Sequence, residues 1–364
     1  MSEEVESMSK VTMKDVASVM GVSVMTVSNA FNRPDQLSAR LRTDILARAE
    51  KMGYAGPDAA ARQLRAGRSN AYGVVFAERL SYAFDDPFST AWLAAFAQVM
   101  EADGANLLLL SVPVGDTDAL EALRHAAVDG VAAMCCDLPS IRQARQRRLP
   151  TVVCTKPSGA GSDLADVDHV VIDDHAAGRD VGAHLRALGH RDVVILVEFS
   201  YSQDGEGVER GPEAFGELLA HHDRAATYHD TWSRIRGIVD GLDSPTSTIV
   251  TAGVNSRESG RRAGGHVLDR QHRPTAVVAV SDVLALGFID AMRHRGLEPG
   301  RDISVVGFDD LPMAADAGLT TIRQPIAEKG RLAAELLLDP ARTPRQIVLP
   351  HELVVRASTQ PAPH

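Results

Sequence analysis

From Tyr72 onward the chain sets down nine short apolar runs: YGVVF, NLLLL, GVAAM, TVVC, HVVI, DVVILV, TIVTA, TAVVAV and ISVVGF, with helix-patterned stretches between them. Runs of four to six apolar residues without polar alternation are buried on both faces, as parallel strands are. A parallel strand needs a crossover, so strand then helix repeated twice over predicts an α/β body of two doubly wound parallel-sheet lobes. Ligands of such sheets sit beyond the strand C-termini, and between two lobes that crevice becomes a cleft.

Ahead of this body stands a module of opposite charge. Between Val11 and Ser69 nine bases face five acids, a surplus of four, whereas the whole chain of 364 residues carries −10. The 295 residues from Asn70 on therefore carry −12, and the first ten, a flexible tail with Glu3, Glu4 and Glu6, carry −2. A small basic module before a large acidic body suits a DNA reader joined to a small-molecule sensor, since only the former gains by neutralising phosphates. Thr12 can cap a helix with Val16, Val19 and Met20 on one face, and Gly21 can end it. Ser23 can cap a second, Val24 to Phe31, with Val27 and Ala30 inward, and Ser38 a third running through Leu41, Ile45, Leu46 and Ala49 to Lys51. Two short helices joined by a turn of about three residues have helix-turn-helix spacing.

The runs VTMKDVASVMGVSVMTVSNAFN, LSARLRTDILARAEKMGY and AARQLRAGRS resemble the DNA-binding headpiece of the lactose repressor (LacI/GalR) family. The resemblance continues through VIDDHAAGRDVGAHLRALGHRDVVIL, RPTAVVAVSDVLALG, DISVVGFDD and LTTIRQP, in a body similar to a periplasmic sugar-binding protein. It implies a helix-turn-helix domain over 11–56, a hinge helix and linker over 57–69, and an effector-binding and dimerisation domain over 70–364, its first lobe over 70–172 and 324–349 and its second over 173–323 and 350–358. It puts Val24, Met25 and Asn29 at base edges in the major groove and Thr26, Ser28, Asn32 and Ser38 at phosphates. Two apolar readers offer methyl contact and shape, while Asn29 can donate and accept, so the operator sequence stays open. In the hinge, Ala61 and Leu64 match minor-groove positions, with Leu64 the wedge at the operator centre. Nine helical residues after Pro57 are marginal alone, and in the family they fold when two copies pair over DNA.

The same resemblance places Phe84, Asp85, Thr155, Asp173, Arg234, Asn255, Ser281, Asp309 and Gln324 at the effector. Asp310 is expected to cap the turn that follows. Arg234 is preferred over Arg210 because Gly237 and a bulky Ile238 follow it, and Asn255 to Gly260 ends in Ser-Gly about twenty residues on. Asn255 stands where many sugar-responsive members place an aromatic ring, Thr155 replaces a frequent aspartate, and EFSYSQDGEGVERG adds chain before Arg234. These departures argue against a simple hexose. A ring contact can instead come from SYAFDDPF, with Tyr82 and Phe88 beside Phe84.

The expected partners are palindromic double-stranded operator DNA, a sugar, nucleoside or related metabolite, and a second copy in a homodimer. The terminal RASTQPAPH carries no coiled-coil pattern that would favour a tetramer. No cofactor is expected, since no phosphate-cradling glycine loop opens a helix after a strand. No metal is expected either: His169, Asp173, Asp174 and His175 cluster without helical ligand spacing, and Cys135, Cys136 and Cys154 lack a C-x-x-C pair and read as reduced core residues. No apolar run approaches the roughly 18 residues of a membrane span, and the acidic start is no signal peptide, so the cytoplasm is the expected compartment. A binding protein or enzyme could use the same body; the amino-terminal module is what separates a regulator from either.

Overall fold

The computed structural model describes residues 11–56, 68–113, 115–134, 137–155, 164, 167–198, 209–210, 229–243, 247–339 and 344–363. The hinge positions Ala61 and Leu64, and Cys135 and Cys136, lie outside the described residues. The chain divides into two compact units, residues 1–69 and 70–364.

Among the described residues the first unit holds three α-helices, α1 (Met13–Met20), α2 (Val24–Asn32) and α3 (Ala39–Lys51). Each starts where a side chain accepts a backbone N–H that the helix cannot satisfy. Thr12 and Asp15 form a reciprocal capping box on α1, Ser23 accepts from Thr26 N, and Ser38 accepts from Leu41 N. Gly21 ends α1 at φ 63°, a left-handed conformation in which a Cβ is strained. The buried core is Val16, Ala17, Val27, Ala30, Ile45 and Ala49. Val19 differs from its expected inward place: it is 52% exposed, and Ala17 takes the buried position.

The second unit contains two sheets. The first comprises β1 (Ala71–Phe76), β2 (Asn106–Ser111), β3 (Gly130–Met134), β4 (Thr151–Val153), β5 (Asp168–Ile172) and β12 (Gln346–Leu349), all parallel, in the order β12-β5-β4-β3-β1-β2. The second comprises β6 (Val193–Glu198), β7 (Glu209–Arg210), β8 (Thr248–Gly253), β9 (Ala276–Ala279), β10 (Ser304–Asp309), β11 (Thr320–Arg323) and β13 (Glu352–Val354). Their order is β13-β11-β10-β9-β6-β8-β7, parallel inside with antiparallel strands at both edges. The chain crosses between sheets after β5, after β11 and between β12 and β13. NLLLL is the exception to burial on both faces: as β2 it edges the first sheet, pairs only with β1 and leaves Leu108 exposed.

Two helices of the second lobe, α8 (Asp174–Ala187) and α9 (His229–Leu242), touch backbone to backbone. Gly178 and Gly182 on α8 face Gly237 and Gly241 on α9, and a Cβ on Gly237 would sit 2.0 Å from the His175 carbonyl oxygen. Only glycine permits that approach.

Candidate functional site

On the first unit, α2 presents Val24 and Met25 to solvent, 42% and 69% exposed, at the start of the helix. Apolar side chains left in water at a helix start are available to a partner surface. Asn29 Nδ2 donates to Gln36 Oε1 at 3.2 Å, Ser23 and Thr26 share a hydroxyl contact at 2.8 Å, and Asn32 Nδ2 donates to the Ser28 carbonyl at 3.0 Å. Ser38 uses its oxygen as the cap of α3, leaving its hydroxyl proton to donate elsewhere.

In the second unit a cleft open to solvent lies where strand ends of both sheets meet. Thr155, Arg234, Asn255, Ser281 and Asp309 line it together. Arg234, on α9, is buried with its guanidinium 3.9 Å from the Phe308 ring centroid. Its Nε donates to Asp174 Oδ1 at 2.8 Å, its Nη1 to the Val280 carbonyl at 2.9 Å, and its Nη2 lies 3.8 Å from Asp230. Burial works against this charge, but the carboxyls of Asp174, Asp230 and Asp309 outweigh it and hold Arg234 protonated. The glycine contact between α8 and α9 is what lets Arg234 reach Asp174, one turn from Gly178.

Asp309 ends β10 at φ 124°, a backbone conformation costly for any residue but glycine. Its Oδ1 accepts from Gln324 Nε2 at 2.6 Å, and burial pushes its carboxyl well above the ordinary range against the pull of Arg234. Gln324 is buried behind the cavity wall, reaching the site through Asp309. Ser281 caps the helix Asp282–His294 and donates to Asn255 Oδ1 at 2.6 Å. Asn255 also bonds the Tyr82 hydroxyl, whose proton burial beside Asp86 holds more tightly. Tyr82 belongs to the first lobe and Asn255 follows β8 of the second, so this bond spans the cleft.

Three expected residues stand elsewhere. Phe84 is 56% exposed, and Asp85 beside it is also exposed, because the short helix Leu80–Asp85 turns Tyr82 and Ala83 inward instead. The cavity takes Asp86 and Phe88 from that loop, with Asp86 held by Ser89 and pushed upward by burial. Asp173 is exposed and spends its carboxylate as the cap of α8, accepting from Ala176 N at 2.9 Å; its neighbour Asp174 turns in to Arg234. Asp310, expected to cap the turn that follows, pairs instead with Arg323 and Arg356. Arg210, the rejected candidate, lies on edge strand β7.

Sequence reasoning missed Glu198, Asp230, Thr231 and Lys329 in the cavity wall. Glu198, at the end of β6, accepts from Thr231 Oγ1 at 2.9 Å, and burial pushes its carboxyl up to about 7. Its position at a strand C-terminus was the available signal. Among the described residues no group of three or more metal-ligating side chains gathers, and no helix is long and apolar enough to cross a membrane.

Residues 12–56 match the model of bacterial regulatory proteins of the lacI family, and residues 183–359 that of the periplasmic binding protein-like domain. An HTH-type transcriptional regulator of Mycobacterium tuberculosis is 38% identical over 95% of this chain and 96% of its own length. The chain belongs to the LacI family of transcription regulators. It is a DNA-binding regulator with an effector-binding domain. The HTH-type transcriptional regulator IpsA of Corynebacterium glutamicum, another LacI-type relative, is 34% identical over 90% of both chains. Among solved structures, a LacI family regulator from Corynebacterium glutamicum superposes with a TM-score of 0.68 at 29% identity, covering 96% of this chain and 98% of the other. The lac repressor dimer bound to operator and an anti-inducer gives 0.70 at 25% identity, covering 96% and 99%.

Proposed function

We propose that two copies of the chain repress transcription from a palindromic operator, and that a small polar metabolite held between the lobes sets their affinity for it. The observation that carries this reading is the cleft: Arg234, Asn255, Ser281 and Asp309 of one lobe face Tyr82, Asp86, Thr155 and Lys329 of the other across one cavity. A molecule touching both walls binds the closed arrangement better than the open one, and only such a difference can shift an equilibrium. The similar lac repressor is a dimer on operator with a small molecule bound, which supports the same assembly here. Val24, Met25 and Asn29 read bases, Thr26, Ser28, Asn32 and Ser38 hold phosphates, and Ala61 and Leu64 enter the minor groove at the centre. Regulation, rather than catalysis, is the work assigned to the cleft, and the cytoplasm is its place.

The test is selection of bound sequences from a random duplex pool by the purified protein, with a Leu64→Ala variant beside it. A recovered palindrome with a flexible central step supports a symmetric dimer with a wedge at its centre. Leu64→Ala is expected to weaken binding to that palindrome far more than to random DNA; equal losses on both would remove the wedge.

A further inference from the structure

Lys329 is the cleft residue whose chemistry the fold explains least. It lies near the start of the helix α13 (Ile326–Leu338), is 3% exposed and lines the cavity. An ammonium carries three donors. Lys329 gives one to Gln324 Oε1 at 3.3 Å, the long end of the range, and sits 5.4 Å from the Phe88 ring centroid. Gln324 offers that oxygen alone, because its amide nitrogen is itself a donor and is given to Asp309. No carboxylate among the described residues stands within 4.0 Å of the ammonium. A buried cation with undirected donors is costly unless something else accepts from it.

The opposite wall has the complementary deficit. Glu198 Oε2 and Asp230 Oδ1 are buried oxygens without a hydrogen-bond partner. We propose that the effector is a polyhydroxylated acid of sugar size, whose carboxylate or phosphate oxygens accept from Lys329 while its hydroxyls meet Asn255, Glu198 and Asp230. The inference rests on the cleft being the effector site. Burial pushes the carboxyls of Asp86, Asp309 and Glu198 upward, the direction that lessens the repulsion they offer such an acid. Arg234 is already answered by Asp174 and Asp230, so among the described residues of the cleft Lys329 is the cation left to meet an anion.

Equilibrium dialysis of the full chain against glucose, glucuronate, glucose 6-phosphate and glucosamine tests this, because the four share a skeleton and differ in charge. Wild type is expected to bind glucuronate or glucose 6-phosphate about tenfold or more tightly than glucose. Lys329→Met should erase that preference and Lys329→Arg should keep it. Preference for glucose or glucosamine, no binding of any of the four, or an acid preference that survives Lys329→Met overturns the proposal. Glucose bound by wild type, lost in Asp309→Asn and untouched by Lys329→Met overturns the acid while leaving the cleft as effector site. An acid bound through Lys329 with operator affinity unchanged supports the ligand class and removes the regulatory reading.

Discussion

The helix-turn-helix unit and the cleft solve recognition in opposite ways. In the first, a core of six small and medium apolar residues sits beneath, and the readers stand outside it, bonded only to near neighbours such as Asn29 to Gln36. In the cleft, Arg234 is bound to Asp174, 60 positions away, and to Val280, 46 positions away, all in the interior. An exposed reader can be exchanged without touching the core. A buried one is part of what holds the lobe together. Stability and recognition are therefore separable in the small unit and joined in the large one, and substitutions should reveal the difference.

The largest effect is expected for Arg234→Ala. It leaves Asp174 and Asp230 buried without their cation, a loss of about 3–5 kcal/mol in urea unfolding. Effector response should vanish while affinity for operator remains; an intact response would move the site elsewhere. Gly237→Ala should follow at about 3 kcal/mol, since the new Cβ meets the His175 carbonyl and the two helices must part. Parting them also draws Arg234 from Asp174, so effector affinity should fall with stability. A variant that lost stability alone would show that the helix contact does not position the arginine.

The division between the two units also explains what could be read in advance. Helix starts in the small unit depend on single side chains, Thr12, Ser23 and Ser38, acting over three residues, and such caps are visible in any sequence. In the body, unalternating apolar runs announce parallel strands, and strand ends point to Asn255, Ser281 and Asp309. Three Asp-Asp pairs mark the limit. At Asp309-Asp310 the first carboxyl lines the cavity, at Asp85-Asp86 the second does, and at Asp173-Asp174 the second turns to Arg234. Which member faces in depends on the residue at which the next helix begins, and one residue of offset reverses the answer. Lys329 escaped for another reason: a lysine on an amphipathic helix reads as a solvated face until a neighbouring lobe covers it.

A pH series sharpens the comparison at the next level of effect. Glu198 is pushed from its ordinary 4.5 to about 7 by burial. Its folded form holds the proton more tightly than the unfolded chain, so its contribution is fully present below 4.5 and is lost as pH rises to about 7. Glu198→Gln removes that loss and should raise stability at pH 8 by on the order of 2 kcal/mol, with little change at pH 4. The measurement is the difference between wild type and variant in urea unfolding across this range, because Asp86, Asp174 and Asp309 are raised too and leave a slope of their own. A difference independent of pH would refute the assignment. In the small unit the shift runs the other way at Asp15, which its bonds to Thr12 lower.

The smallest expected effect is the one that isolates recognition from stability. Asn29→Ala removes a side chain that is only partly buried and bonded to Gln36 across a turn, so the unfolding free energy should stay within about 0.5 kcal/mol of wild type. Affinity for the selected operator should fall roughly tenfold, about 1.4 kcal/mol, with the loss confined to one base position in each half-site. Binding to random duplex, carried by phosphate contacts, should hardly change. A uniform loss on both DNAs would mean that Asn29 holds backbone rather than reads a base. A loss of stability matching the loss of affinity would mean that the small unit couples the two as the cleft does, and the contrast drawn from its shallow core would fail.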